Sequence, residues 1–194
     1  MADKPYRLMI DPGHGGPDPG ATNKSLGIKE KDVNLAIALK MMRKIYAGDY
    51  LLEPFITRKD DSFVTLDGRC KKAALFSVDA FISIHCNARK TRGRDGLEIE
   101  VFHYCDSERA NQYANIALGF LLNGLNDRIK IISRGVKTAQ FYILKHTPMP
   151  AILVELGFIS DDEEAAFLSA VDNQKIIARQ LVEATELFLE GGGI

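Results

Sequence analysis

The chain has 194 residues, 46% hydrophobic and 26% charged, a composition that provides a full core for one compact domain and excludes disordered, collagen-like and disulfide-stapled classes. Lys plus Arg number 25 against 26 Asp plus Glu, a net charge of −1, so with no excess of positive charge there is no electrostatic case for nucleic acid or an anionic membrane as partner. No window approaches the ~20 apolar residues of a membrane span, and the apolar part of MADKPYRLMIDP is too short for a signal peptide, which predicts synthesis in the cytoplasm without membrane insertion.

The first predicted strand, YRLMID (residues 6–11), runs into DPGHGGPDPGA, a stretch far denser in Gly and Pro than a turn requires. It folds the backbone around His14, just past the carboxyl end of the strand, which is where open α/β sheets bind ligands. A phosphate-binding loop would need a Gly-Lys-Ser/Thr sequence that is absent. Apolar periodicity then predicts a helix over 31–46, with Glu30 in its first turn. Carboxylates are ordinary there because exposed amides favour them, so from its position Glu30 reads first as a helix-start acid, with a ligand role as the alternative.

LLEPFITR (51–58) predicts a second strand, TLDGRCKKAALF (65–76) a helix, and DAFISIH (79–85) a third strand. The strand period places Phe81, Ser83 and His85 on one face and Ile82, Ile84 and Cys86 on the other. That separation disfavours a His85–Cys86 nucleophile pair, and Cys70, Cys86 and Cys105, at unrelated spacings, read as buried thiols. His85 ends its strand at the same sheet edge as His14. Two imidazoles at one edge are how zinc sites begin, and a catalytic site needs a third protein ligand with one position left for water.

GLEIEVFH (96–103) alternates polar and apolar residues, which predicts an edge or half-exposed strand, ending in His103. A helix follows over 108–125, then a strand at FYILK (141–145), with His146 beyond it; His103 and His146 each read as an exposed or structural residue or as lining the substrate cleft. AILVEL (151–156) is the sixth strand, and the consecutive apolar residues of FISI and AILV mark central strands. Glu155 lies within this apolar run, where an ionised carboxylate needs an ion-pair partner or a metal nearby. It reads as a buried ion-pair partner or as a general base beside metal-activated water. In SDDEE, Ser160 and Glu163 have capping-box spacing, and Ile177, Leu181, Ala184 and Phe188 of the last helix (173–190) share one face. Gly191 to Ile194 read as a helix stop or linker stub. Strands alternating with helices predict an α/β fold with helices on both faces of a mostly parallel sheet.

Four blocks, DPGHGGPDPGA, GIKEKDVNLAIA, DAFISIHCNA and MPAILVELGFIS, closely resemble the zinc-dependent N-acetylmuramoyl-L-alanine amidases of cell-wall hydrolysis, the amidase-3 family of autolysins and phage endolysins. Thr57–Arg58 and FVTLDGRCKKA fit the same pattern. The resemblance implies a twisted six-stranded sheet, one catalytic domain over 1–190 with 191–194 as a tail, one zinc ion held by His14, Glu30 and His85, and Glu155 as the catalytic glutamate. The implied substrate is peptidoglycan, reached from the cytoplasm by phage lysis, non-classical export or mother-cell lysis. Some relatives insert an inhibitory helix between the His85 and Glu155 strands; residues 87–150 leave room for little beyond two strands and a helix, so an open cleft is expected. A zinc peptidase acting on wall peptides, or a wall-binding module with structural zinc, are the competing readings.

Overall fold

The computed structural model describes residues 4–90, 93 and 95–191, so residues 192–194 of the predicted tail lie outside the described residues. In chain order the elements are β1 (Tyr6–Pro12), the two-residue strands β2 (Thr22–Asn23) and β3 (Ile28–Lys29), α1 (Glu30–Ala47), β4 (Leu52–Ile56), α2 (Leu66–Leu75), β5 (Ala80–Asn87), β6 (Leu97–His103), α3 (Glu108–Leu125), β7 (Ile131–Thr138), α4 (Tyr142–His146), β8 (Ala151–Phe158), α5 (Asp162–Ser169) and α6 (Val171–Leu189). Six strands form one sheet in the order β4-β1-β5-β8-β6-β7. All neighbours are parallel except β6 and β8.

β5 and β8 occupy the centre, as their unbroken apolar runs require, since both faces of each are covered. On one face α1, α3 and α6 bury Ile37, Tyr113, Leu121, Ile177 and Phe188 against Ile10, Ile82 and Val154. On the other, Cys70 and Ala73 of α2 and Ile143 and Leu144 of α4 pack on Met9, Phe81 and Leu153. Among the described residues no helix is long and apolar enough to cross a membrane.

The structure corrects the sequence reading in several places, each for a physical reason. β6 is an inner strand, with β8 and β7 on either side. Its alternating Glu98 and Glu100 are buried but paired: Arg89 and Arg134 hold Glu98, while Arg134 and Lys137 hold Glu100. Alternation signals water on one face only where no cations cover it. FYILK is no strand but the helix α4, which lets the adjacent Ile143 and Leu144 both reach the core; in a strand they would point to opposite faces. The true sixth strand is Ile131–Thr138, disguised by Ser133-Arg134-Gly135, where Gly135 has φ 83° beside a register shift opposite Ile99 and Glu100.

A helix, α5, does start directly after β8, ahead of the last helix α6, but its cap is not the predicted one. The cap of α5 is Asp161, whose carboxylate accepts from the Glu163 and Glu164 amides, while the Ser160 hydroxyl accepts from the Arg89 amide instead. Cys70 and Cys86 are buried free thiols, but Cys105 is exposed. Between Asn87 and Pro150 lie β6, α3, β7 and the five-residue α4, one short helix more than expected.

Candidate metal centre

The loop after β1 is anchored beneath the site by a buried polar network. Asp11, fully buried, accepts from Thr57 Oγ1 (2.6 Å), Arg69 Nη1 (2.6 Å) and Ser83 Oγ (2.8 Å). Arg69 also donates to the Pro12 and His14 carbonyls, and Arg58 to those of Pro12, Gly13 and Lys31. These charge-assisted bonds to a few nearby carbonyls fix the turn, and an unpaired member of such a network would carry a large desolvation cost. The fixed turn holds His14 at φ 61°, a left-handed conformation that non-glycine residues adopt rarely and only where their surroundings enforce it.

The glycine density has a steric explanation. A Cβ on Gly13 would lie 2.2 Å from the His85 ring, and one on Gly20, at φ 64°, would lie 2.4 Å from Glu30 Oε2 and 2.7 Å from the His14 ring. The loop must pass this close for three side chains from separate elements to converge.

His14 Nδ1 lies 2.8 Å from Asp18 Oδ2, which directs its Nε2 to Glu30 Oε1 at 3.1 Å. His85 Nδ1 lies 3.0 Å from the same Glu30 oxygen. Glu30 itself is 3% exposed and is oriented by the Ala21 amide (2.8 Å), the Cys86 amide (3.1 Å) and Asn34 Nδ2 (3.3 Å). One potential ligand atom from each of His14, Glu30 and His85 lies within 4.8 Å of the others. Two imidazole nitrogens and a carboxylate oxygen are a donor set suited to zinc, and three protein ligands characterise catalytic rather than closed structural sites. The residues fit such an ion on a further ground: His14 has a carboxylate behind its other nitrogen, as zinc-binding histidines commonly do.

Glu155 is the register partner of His85 on the adjacent parallel strand, so the two side chains leave the sheet on the same face, and Glu100 is its partner on β6. Its Oε2 is buried without a hydrogen-bond partner among the described residues. The structure thus brings His14, Glu30 and His85 together with Glu155 beside them. His103, by contrast, is buried on β6 with Nδ1 on the Tyr104 carbonyl, and His146 is exposed and stacked on Tyr142. Neither joins the group. A cleft of about 400 Å³ opens over His14 and His85, walled by Phe63 and Val64 from the β4–α2 connection, by Leu66 at the start of α2 and by Ile143 of α4.

Sequence reasoning missed Asp11, Asp18 and Arg69. Asp11 had the signal that exposed Glu155, a carboxylate closing an apolar strand. Asp18 and Arg69 had none, because a loop acid and a helix arginine are ordinary on their own.

Protonation in the group follows from its charges. Burial works against the His14 charge, but Glu30 and Asp18 outweigh it and raise His14 to about 9. Glu30, though buried, is held below the usual carboxylate range by its bonds to His14 and His85. Glu155 moves up to about 8, first through burial and then through the like charges of Glu30 and Glu100. Without a cation, the folded chain therefore keeps two protons that the unfolded chain releases: that of Glu155 between about 4.5 and 8, and that of His14 between about 6.5 and 9. Where the native state binds more protons, stability falls with rising pH. Chelator-treated protein should show a thermal midpoint that declines from about pH 6 to 9, and added zinc, competing with these protons, should restore it most at the alkaline end. Differential scanning fluorimetry tests this; a midpoint climbing across that range would contradict the charge arrangement.

Residues 8–186 match the family whose description is N-acetylmuramoyl-L-alanine amidase. The chain is 37% identical over 161 residues to the N-acetylmuramoyl-L-alanine amidase LytC of Bacillus subtilis (strain 168), covering 83% of this chain and 31% of LytC. It is 38% identical over 164 residues to the endolysin of Bacillus phage SPP1, covering 83% of this chain and 58% of the endolysin. The chain thus spans less than two thirds of either relative. The crystal structure of an N-acetylmuramoyl-L-alanine amidase from Clostridium difficile 630 superposes with a TM-score of 0.89 at 29% identity, covering 98% of this chain and 100% of that one.

Proposed function

Because this chain belongs to the amidase-3 family of N-acetylmuramoyl-L-alanine amidases, we propose that it hydrolyses the amide bond between N-acetylmuramic acid and L-alanine in peptidoglycan, with His14, Glu30 and His85 holding one zinc ion and Glu155 as general base. The observation that carries this reading is the convergence of three side chains able to hold a metal, beside a carboxylate with one buried oxygen that has no partner among the described residues. Its place of action is the bacterial cell wall.

An amide resists water because the nucleophile is weak at neutral pH and the developing oxyanion is unsupported. When bound, zinc supplies Lewis-acid polarisation of the carbonyl and brings the pKa of water from 15.7 to roughly 7. The chain's own residues do the remainder. Asp18 fixes the His14 ring with Nε2 turned toward Glu30, and the Ala21 and Cys86 amides fix Glu30 itself, so the ligand set is preorganised. Glu155 accepts a proton from the attacking water and passes it to the departing alanine nitrogen. Its burial suits both proton transfers. An environment that lifts a carboxyl toward neutrality matches its basicity to the working pH, and positive charge at the neighbouring ligand group offsets the repulsion of Glu30. Phe63, Leu66 and Ile143, apolar and at the cleft wall, exclude water around the reacting amide.

Product analysis tests the reaction directly. Digestion of purified peptidoglycan should release peptides with new amino-terminal L-alanine, seen by mass spectrometry, and a chelator should abolish their release. Freed carboxy-terminal amino acids would instead assign a peptidase, and wall binding without solubilisation a binding module.

A further inference from the structure

A second concave feature, a groove of about 530 Å³, lies between α1 and α6, away from the cleft. Its walls carry Lys40, Arg43 and Lys44 from α1 and Lys175 and Arg179 from α6. Five cations converge here in a chain whose overall charge is −1. The floor between them is aliphatic: Val171 is 58% exposed, and Ile176 is partly buried beside it.

Acidic neighbours do not account for this grouping. Lys175 pairs with Asp172 at 2.9 Å and Arg179 approaches Glu183 at 3.9 Å, both at the surface. Among the described residues no carboxylate lies within ion-pair distance of Lys40, Arg43 or Lys44. Lys40 donates to the Gln174 side-chain carbonyl and to the Ala36 carbonyl, and Lys44 lies over the Tyr50 ring. The carboxy-terminal dipole of α1 explains Lys44, in its last turn, but not Lys40 in its middle or Lys175 near the amino-terminal end of α6. Like charges at helical spacing, Lys40 with Lys44 and Lys175 with Arg179, are unfavourable by themselves. Partial burial and the charges of Arg43 and Lys175 together lower the Lys40 pKa.

We propose that the α1–α6 groove is a docking site for a linear anionic polymer of polyol phosphodiesters lying along the wall that the chain acts on. The choice of occupant rests on the proposed wall function; the positive charge of the groove does not. Phosphates spaced along a flexible chain meet cations on both walls, while the carbon backbone between them covers Val171 and Ile176. A flat bilayer cannot enter a groove between two helices. Single-stranded nucleic acid would need aromatic platforms for its bases, and the floor is aliphatic. At 1.5 Å per residue, Lys40 and Lys44 lie roughly 15–20 Å along α1 from Glu30, so a polymer held there tethers the chain without occupying the cleft.

The decisive experiment is titration of the whole chain with poly(glycerol phosphate) by calorimetry, with chelator present so that binding is read independently of hydrolysis. Affinity should fall steeply with added salt. The triple variant Arg43→Gln/Lys44→Gln/Lys175→Gln should bind at least ~10-fold more weakly. It relieves like-charge repulsion, so it should fold, and it should cleave a small soluble muropeptide at the wild-type rate. Lys4→Gln/Lys71→Gln/Lys130→Gln, an equal loss of charge elsewhere, should retain affinity. Absence of wild-type binding, equal affinity of the groove variant, equal loss in the control, or tighter binding to phosphatidylglycerol vesicles or to single-stranded DNA would each overturn the proposal.

Discussion

Glu155→Gln should lower amide hydrolysis ~100- to 10,000-fold while zinc content stays near one ion per chain. Glutamine has almost the volume of glutamate and can still hydrogen-bond, so neither the ligand group nor the packing of β8 is disturbed. What it cannot do is accept a proton from water. The loss should fall on kcat with KM nearly unchanged, because the proton moves only as the transition state forms. A second readout separates this from damage to the fold: the wild-type carboxylate is buried with an unpartnered Oε2 and its pKa is pushed up to about 8, so in chelated protein at alkaline pH the glutamine variant should unfold at higher temperature than wild type. Activity within tenfold of wild type would remove Glu155 from the mechanism.

His14→Asn should abolish zinc binding, and hydrolysis with it, while leaving the fold intact. Asparagine is the informative replacement because position 14 has φ 61°, a conformation that asparagine tolerates far better than alanine, so backbone strain is not confused with ligand loss. Two remaining ligands do not make a stable zinc site. Asp18→Asn should have a graded effect: it keeps a group near His14 Nδ1 but removes the carboxylate, and outer partners of this kind typically contribute about 10- to 100-fold in metal affinity or activity. Elemental analysis after dialysis, with circular dichroism as the folding control, measures both. Full zinc occupancy in His14→Asn would sink the proposed ligand set.

These two outcomes concern residues that differ in how openly the sequence displays them. His14 and His85 were legible because a strand end is a local feature: the strand period, an apolar run and the turn beyond it locate both imidazoles at one sheet edge. Glu155 was legible because a carboxylate inside an apolar strand demands an explanation. Glu30 was ambiguous, since an acid in a first helical turn looks the same whether it serves the helix or a metal; only the resemblance to a family separated the two readings. Asp18 and Arg69 were silent, as their importance lies in what they touch across the fold.

Local patterning, with periods of 2 and 3.6 residues, was enough by itself to determine the α/β class, the central strands β5 and β8 and the long helices, and to single out three of the four residues proposed for the chemistry as candidates. The tertiary structure decided the rest. It turned FYILK into a helix, placed β6 inside the sheet, folded Glu30 back to within hydrogen-bonding distance of both histidines, and gathered cations of α1 and α6 into one groove within a chain of nearly balanced charge. The reason is physical: a residue's own propensity and spacing are written beside it in the chain, whereas burial, charge pairing and metal geometry depend on neighbours supplied from distant segments.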